Sequence, residues 1–237
     1  MNKTKGRHAA AAVDANWKQL VQSGGVVKKG KTKRKVRKLV TEQPEVSGTE
    51  KIVVARRTGQ GAPLTKVLAI DCEFVGVGPR GERDALARVS VVNYKSEVVL
   101  DTHVQVSEKV TDYRTAVSGV RREHLDPASG AVTFRDVQLQ VSEMLKGRIL
   151  VGHDVQKDLK VLLLDHPRRM TRDTATYKPL QRAAGITVSG RHKASLRQLC
   201  ARVLSMRIQD GAHDSVQDAS ATLALYKNMQ KAWESTV

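Results

Sequence analysis

A chain of 237 residues in which 40% of side chains are hydrophobic can bury one sizeable core, which excludes a protein disordered throughout. Its two cysteines, Cys72 and Cys200, each within apolar sequence, exclude a disulfide framework and a cysteine-based zinc site, and no apolar run reaches the roughly 18 residues of a membrane span. The net charge is +17 and uneven: residues 1–66 carry 16 basic and 4 acidic side chains against 25 and 20 in the rest, so the N-terminal part suits a polyanion, nucleic acid above all.

The opening stretch "MNKTKGRHAAAAVDANWKQL" has no apolar core of the signal-peptide kind, so a soluble, intracellular protein of a reducing compartment with no membrane partner is expected. The block "KKGKTKRKVRK", residues 28–38, is too densely charged to fold alone. It reads as a mobile tail that carries a nuclear address or grips phosphates without reading bases. Residues 41–63, mixed in Gly, Pro, Thr and Glu, read as a linker. The expected organisation is therefore a basic arm and linker over 1–65 and one folded domain over 66–237.

From Lys66 the pattern turns regular. "KVLAIDCEFVGVG" (66–78), "ALARVSVVNY" (85–94) and "EVVLDTHVQV" (97–106) read as three strands, joined by turns at 78–81 and 95–96 into an antiparallel meander. "TDYRTAVSGVRREHL" (111–125) reads as a helix capped near Thr111 or Asp112, and "TFRDVQLQVSEMLKG" (133–147) as a helix ended by Gly147. "RILVGH" (148–153) is a buried strand feeding the helix "DVQKDLKVLLLD" (154–165), with Asp154 where an N-cap belongs. A short strand within "MTRDTATY" (170–177) and helices over 193–204 and 215–233 complete an α/β domain with a mixed sheet.

Strand side chains alternate, so Asp71 and Glu73 share one face and Cys72 points to the other. Two like charges so placed repel unless a cation sits between them, and a divalent metal is the natural candidate. Taken alone, the pair reads more simply as solvated acids at a strand end. Asp158 alone reads as an acid near a helix N-terminus, where the dipole favours it. Asp218, five residues after His213, faces an apolar side of its helix; a buried acid without a partner is costly, so a metal or a cationic neighbour is implied. Taken together, four acids and a histidine arrive at element ends, where an α/β sheet builds its site.

These residues carry a resemblance. Asp71-x-Glu73, Asp158 within "GHDVQKDL" and His213-x4-Asp218 resemble the three motifs of the DEDD exonuclease superfamily, in the branch with a histidine in its third motif. From about residue 66 to 233 the chain is similar to the RNA exonuclease 4 group, carried by "AIDCEFVGVGPRGE", "ARVSVVN", "VTDYRTAVSG", "MLKGRILVGH", "DLKVLLLDHP" and "RDTATYKPL". "NWKQL" (16–20) is similar to a short segment of the same group, to which the interferon-stimulated exonuclease is a sister. The resemblance implies a ribonuclease H-like mixed sheet flanked by helices. It also implies metal-dependent 3′-5′ exoribonuclease activity that releases nucleoside 5′-monophosphates, with ribosomal RNA precursor as substrate in the nucleus and nucleolus.

Two ions, Mg²⁺ or Mn²⁺, would be held by Asp71, Glu73, Asp158 and Asp218, with His213 as general base. Arg114 would contact the ribose or phosphate. Phe74 stands where the group usually has Met and would stack on the terminal base, which bears on base or sugar preference. Asp214, beside His213 but off the motif, is expected to tolerate substitution. A monomer is expected. The alternatives are a non-catalytic RNA-binding ribosome-assembly factor, and an exonuclease acting on DNA or viral RNA.

Overall fold

The computed structural model describes residues 61–187 and 193–237. Of the expected arm and linker, residues 1–60, with the 28–38 block and "NWKQL", lie outside the described residues. The meander forms as the alternation dictates: β1 (Val67–Val77), β2 (Arg83–Asn93) and β3 (Val98–His103) pair antiparallel in sequence order. The Gly81 N–H closes the first turn onto the Gly78 carbonyl at 3.2 Å. Strands β5 (Ile149–Gly152) and β6 (Thr171–Asp173) add in parallel on the other edge of β1, giving the order β3-β2-β1-β5-β6.

Both faces of the sheet are covered, and β1 shows why its sequence is apolar on both. Leu68, Ile70 and Cys72 face one layer, where α2 (Phe134–Leu145, capped by the Thr133 hydroxyl) supplies Val137 and Val141, and α3 (Gln156–Val161) supplies Leu159. Val67 and Ala69 face α6 (Ser215–Glu234), which packs Val216, Ala219, Leu223 and Tyr226 against them. Another side of α6, Ala221 and Leu225, buries against α4 (Lys178–Ala183) and α5 (Leu196–Val203).

Three expectations need correction. The single helix over 111–125 is instead a strand β4 (Val110–Asp112), one helical turn α1 (Thr115–Ser118), and 3-10 turns at Arg122–Leu125 and Pro127–Ser129. The far end of β1 offers Gly76 and Val77 as ladder partners, and Gly119 at φ 65° stops the helix after one turn. Asp154 is not an N-cap: it sits at φ 60°, its N–H donates to Asp173 Oδ1 at 2.9 Å, and Lys157 and Lys193 hold its carboxylate. Helix α3 is also shorter than expected, and Leu163 at φ 53° follows it. Helix α4, begun around Pro179, has no counterpart among the expected elements.

Candidate active site

Strand β1 outruns its parallel neighbour. Pairing with β5 ends at Ala69↔Val151, and β4 takes up the same edge only at Gly76. Between them an open edge lies just past the carboxyl end of β5, where open α/β sheets place their crevices. Asp71 and Glu73 stand on this stretch, on the α6 side of the sheet. Asp158 comes from the opposite layer and reaches the edge, where it accepts hydrogen bonds from the thiol and backbone of Cys72. Only past a strand edge can acids from two layers meet.

Gly152 makes this delivery possible. A Cβ there would stand 2.5 Å from the Val155 side chain, so only glycine lets the chain turn from β5 directly into the helix that carries Asp158. Asp218 arrives from the first turn of α6, its Oδ2 accepting from Gln209 Nε2 at 2.7 Å and lying 3.6 Å from His213 Nδ1. His213 is itself held by α1, its N–H donating to the Val117 carbonyl at 2.8 Å.

The carboxylates are buried hard: Glu73 is 6%, Asp158 4% and Asp218 2% exposed, and Asp71 is half-buried. Burial pushes Glu73 up to about 8, with Asp218 adding to the rise and Arg88 opposing it. Burial likewise pushes Asp158 up to about 8, against the hydrogen bonds from Cys72. Asp71 is raised by burial and then by repulsion from Asp158, Asp218 and Glu73, and Asp218 is raised by burial against the Gln209 bond and His213.

Two buried carboxylate oxygens, Glu73 Oε1 and Asp218 Oδ1, have no hydrogen-bond partner among the described residues. Buried acceptors are almost always satisfied, so both ask for a donor or a cation. Among the described residues no three His, Cys, Asp or Glu side chains stand close enough together to hold a metal ion as they are. The donor chemistry nevertheless fits a hard divalent cation: four carboxylates, all-oxygen, with Glu73 Oε1 and Asp218 Oδ1 engaged by nothing else among the described residues.

The structure thus brings together Asp71, Glu73, Asp158, Asp218 and His213. Arg114 is engaged elsewhere: at φ 50° it precedes α1, and its guanidinium donates to Asp84 Oδ1 at 2.7 Å and the Gly81 carbonyl at 2.9 Å. Phe74 is half-buried against the α2–α3 layer, just past a register shift that follows Glu73. Asp214 is no bystander. It caps α6, accepting from the Val216 N–H at 3.2 Å, and pairs with Arg88 Nη2 at 3.2 Å.

Sequence reasoning missed Arg88 and Gln209. Arg88 left a signal, being the one cation in the apolar strand "ALARVSVVNY". Gln209 left none, since its role depends on a loop placed only by the fold.

The profile of the RNase_T family, described as Exonuclease, matches residues 68–226. RNA exonuclease 4 of Homo sapiens is 51% identical over 172 residues, covering 73% of this chain and 39% of that protein. RNA exonuclease 4 of Xenopus tropicalis is 47% identical over 188 residues, covering 79% and 43%. The chain spans less than half the length of these relatives.

Among solved structures, the Neurospora crassa Pan2 catalytic unit superposes with a TM-score of 0.63 at 25% identity, over 79% of this chain and 32% of that one. The Saccharomyces cerevisiae Pan2 module in complex with A7 RNA gives 0.62 at 31% identity, over 74% and 30%. The six-stranded sheet is the ribonuclease H-like sheet of these neighbours. Exonucleases of this family generally use divalent metal ions. A profile match that runs from the first acids to the helix of the last, with relatives near half identity, places the chain in the RNase_T exonuclease family, in its RNA exonuclease 4 group.

Proposed function

We propose that the chain is a 3′-5′ exoribonuclease that removes nucleoside 5′-monophosphates using two divalent ions, Mg²⁺ or Mn²⁺. The observation that carries this reading is the meeting of acids from β1, α3 and α6 at one strand edge, with two buried carboxylate oxygens left without donors among the described residues. A protein that only bound RNA would gain nothing from three buried acids and a half-buried fourth held against their own repulsion. Asp71, Glu73, Asp158 and Asp218 would hold the ions. Bound cations supply positive charge that offsets the scissile phosphate and the departing oxygen.

The chain's own residues do the rest. With Nδ1 of His213 turned toward Asp218, Nε2 is the atom to take a proton from the attacking water. Water adds to phosphorus, the bond to the preceding nucleotide's O3′ breaks, and the terminal nucleotide leaves with the phosphate. Phe74 and Arg114 are assigned to the terminal base and to its ribose or phosphate. For Arg114 this requires release from Asp84. The names of the relatives and the RNA-bound Pan2 structures support RNA as substrate. We further propose ribosomal RNA precursor as the natural substrate, a nuclear and nucleolar location, and a monomer. The basic excess of the N-terminal part supports the location.

Matched RNA and DNA strands, labelled at either end and incubated with Mg²⁺, Mn²⁺ or chelator, test the reading. Metal-dependent mononucleotide release from the 3′ end of RNA is expected, and Asp71→Asn is expected to abolish it while remaining folded. Equal turnover of DNA would shift the substrate assignment. Full activity in chelator or in Asp71→Asn would end the two-ion mechanism.

A further inference from the structure

We propose that Arg88 is a positioning residue, which fixes the start of α6 and with it His213 relative to the carboxylates; this rests on the exonuclease reading above. The register puts two polar rows across the meander, one running Asp71–Ser90–Asp101 and the other Glu73–Arg88–His103. Directly paired residues share a face, so both rows lie on the α6 side of the sheet. They carry the site's acids on β1 and meet the first residues of α6 from β2 and β3.

From the second row, Arg88 grips two elements with one planar group. Its Nε and Nη2 donate to the two oxygens of Asp101 at 2.8 and 3.0 Å, and Nη2 also lies 3.2 Å from Asp214 Oδ1. From the first row, the Ser90 hydroxyl donates to Asp101 at 2.9 Å and shares a hydrogen bond with the Ser215 hydroxyl, both serines being wholly buried. Asp214 and Ser215 are the cap and first residue of α6, and His213 immediately precedes them. The sheet thus clips the helix through consecutive residues next to the base. Arg88 and His213 also line one cavity of about 360 Å³, together with Asp214 and the ring pair His103–His124, whose centroids are 4.7 Å apart.

A guanidinium fork serves this task where an ammonium would not, because two carboxylates from different elements must be held in one plane. Arg88 is also the nearby cation that opposes the rise of Glu73 and Asp71, which offers a rival account of its place in the site. A role in holding the acids and a role in placing the base make different predictions. Loss of the first weakens cation binding whatever stands at position 213. Loss of the second matters only while His213 is present.

The test is a double-mutant cycle of Arg88→Gln and His213→Ala, read by kcat and KM on a single-stranded oligoribonucleotide. Amide hydrogen exchange and the rise in Tm on adding Mn²⁺ are measured on the same proteins. Arg88→Gln is expected to lower kcat about tenfold or more beside an intact His213 and less than about threefold in the His213→Ala background, the signature of coupled neighbours. KM and the Mn²⁺-induced rise should stay near wild type, with faster exchange confined to residues 211–218.

Asp214→Asn is the second variant: asparagine caps a helix as well as aspartate but loses the charge pair with Arg88, so it should repeat the pattern without threatening the fold. Equal fold-losses in both backgrounds, or unchanged exchange at 211–218 in both variants, would overturn the proposal. If the wild-type chain releases no mononucleotides, the exonuclease reading fails, and exchange at 211–218 alone decides whether the clip exists.

Discussion

Glu73 and Asp218 each bury a carboxylate oxygen with no donor among the described residues, whereas Asp154 spends its carboxylate on two lysines. That contrast separates acids awaiting a cation from acids already satisfied. His213 belongs to neither group, since its ring is a third exposed and lies beyond hydrogen-bond distance of Asp218. His213→Ala is therefore expected to cut the rate by roughly 10² to 10⁴ while Mn²⁺ still raises Tm as in wild type. Asp218→Ala should lose both rate and the Mn²⁺-induced stabilisation. Equal loss of that stabilisation in the two variants would make His213 a ligand. The acids could be read from the sequence because spacing alone puts Asp71 and Glu73 on one face. Asp214 and Gln209 could not, because their partners sit on β2 and α6 and meet them only after folding.

At the scale of elements, the pattern-driven parts were legible: the meander, α2 and α6 follow periods of 2 and 3.6 that burial enforces. The segment over 111–125 was not, because a vacant ladder edge on β1, a tertiary feature, drew Val110–Asp112 into a strand. The start of α3 was misplaced for a similar reason: Asp173 of β6 takes the Asp154 N–H and draws that residue out of the helix. The junction of β5 and α3 is where the fold and the site are most tightly joined. Gly152→Ala drives a methyl to 2.5 Å from the wholly buried Val155, and overpacking of this kind costs about 1–3 kcal/mol. Thermal unfolding should report that loss. Nuclease rate should fall further than stability predicts, because relief of the clash moves α3 and Asp158 with it. A Gly152→Ala protein with wild-type Tm and rate would show that the turn can relax without moving the helix.

For the whole molecule, charge acts on two separate scales. Residues 1–40 hold 12 of the 41 basic side chains, so their deletion should weaken RNA binding and flatten its salt dependence, by roughly 0.7 in log-log slope for each phosphate no longer gripped. Cleavage of short RNA at low salt should persist, and equal slopes for both proteins would assign the arm to localisation alone. Within the domain the acids make stability depend on pH. Glu73 and Asp158 are raised to about 8, so the folded state holds protons that the unfolded chain releases near pH 4. Stability of the metal-free protein therefore falls as pH rises toward 8. Half-buried His153, lowered to about 4, acts in the opposite sense, but only below the ordinary histidine value near 6.5. Between pH 6.5 and 8 the acids prevail, and denaturant unfolding in chelator should lose roughly 2 kcal/mol per pH unit, about one kcal/mol for each of the two carboxyls. Asp158→Asn should flatten that slope, and Mg²⁺ should stabilise the wild type more at pH 8 than at pH 6.5, because cations displace the same protons. A metal-free stability that stayed flat across this window would mean that the acids are ionised without a cation, held so by Arg88 and His213.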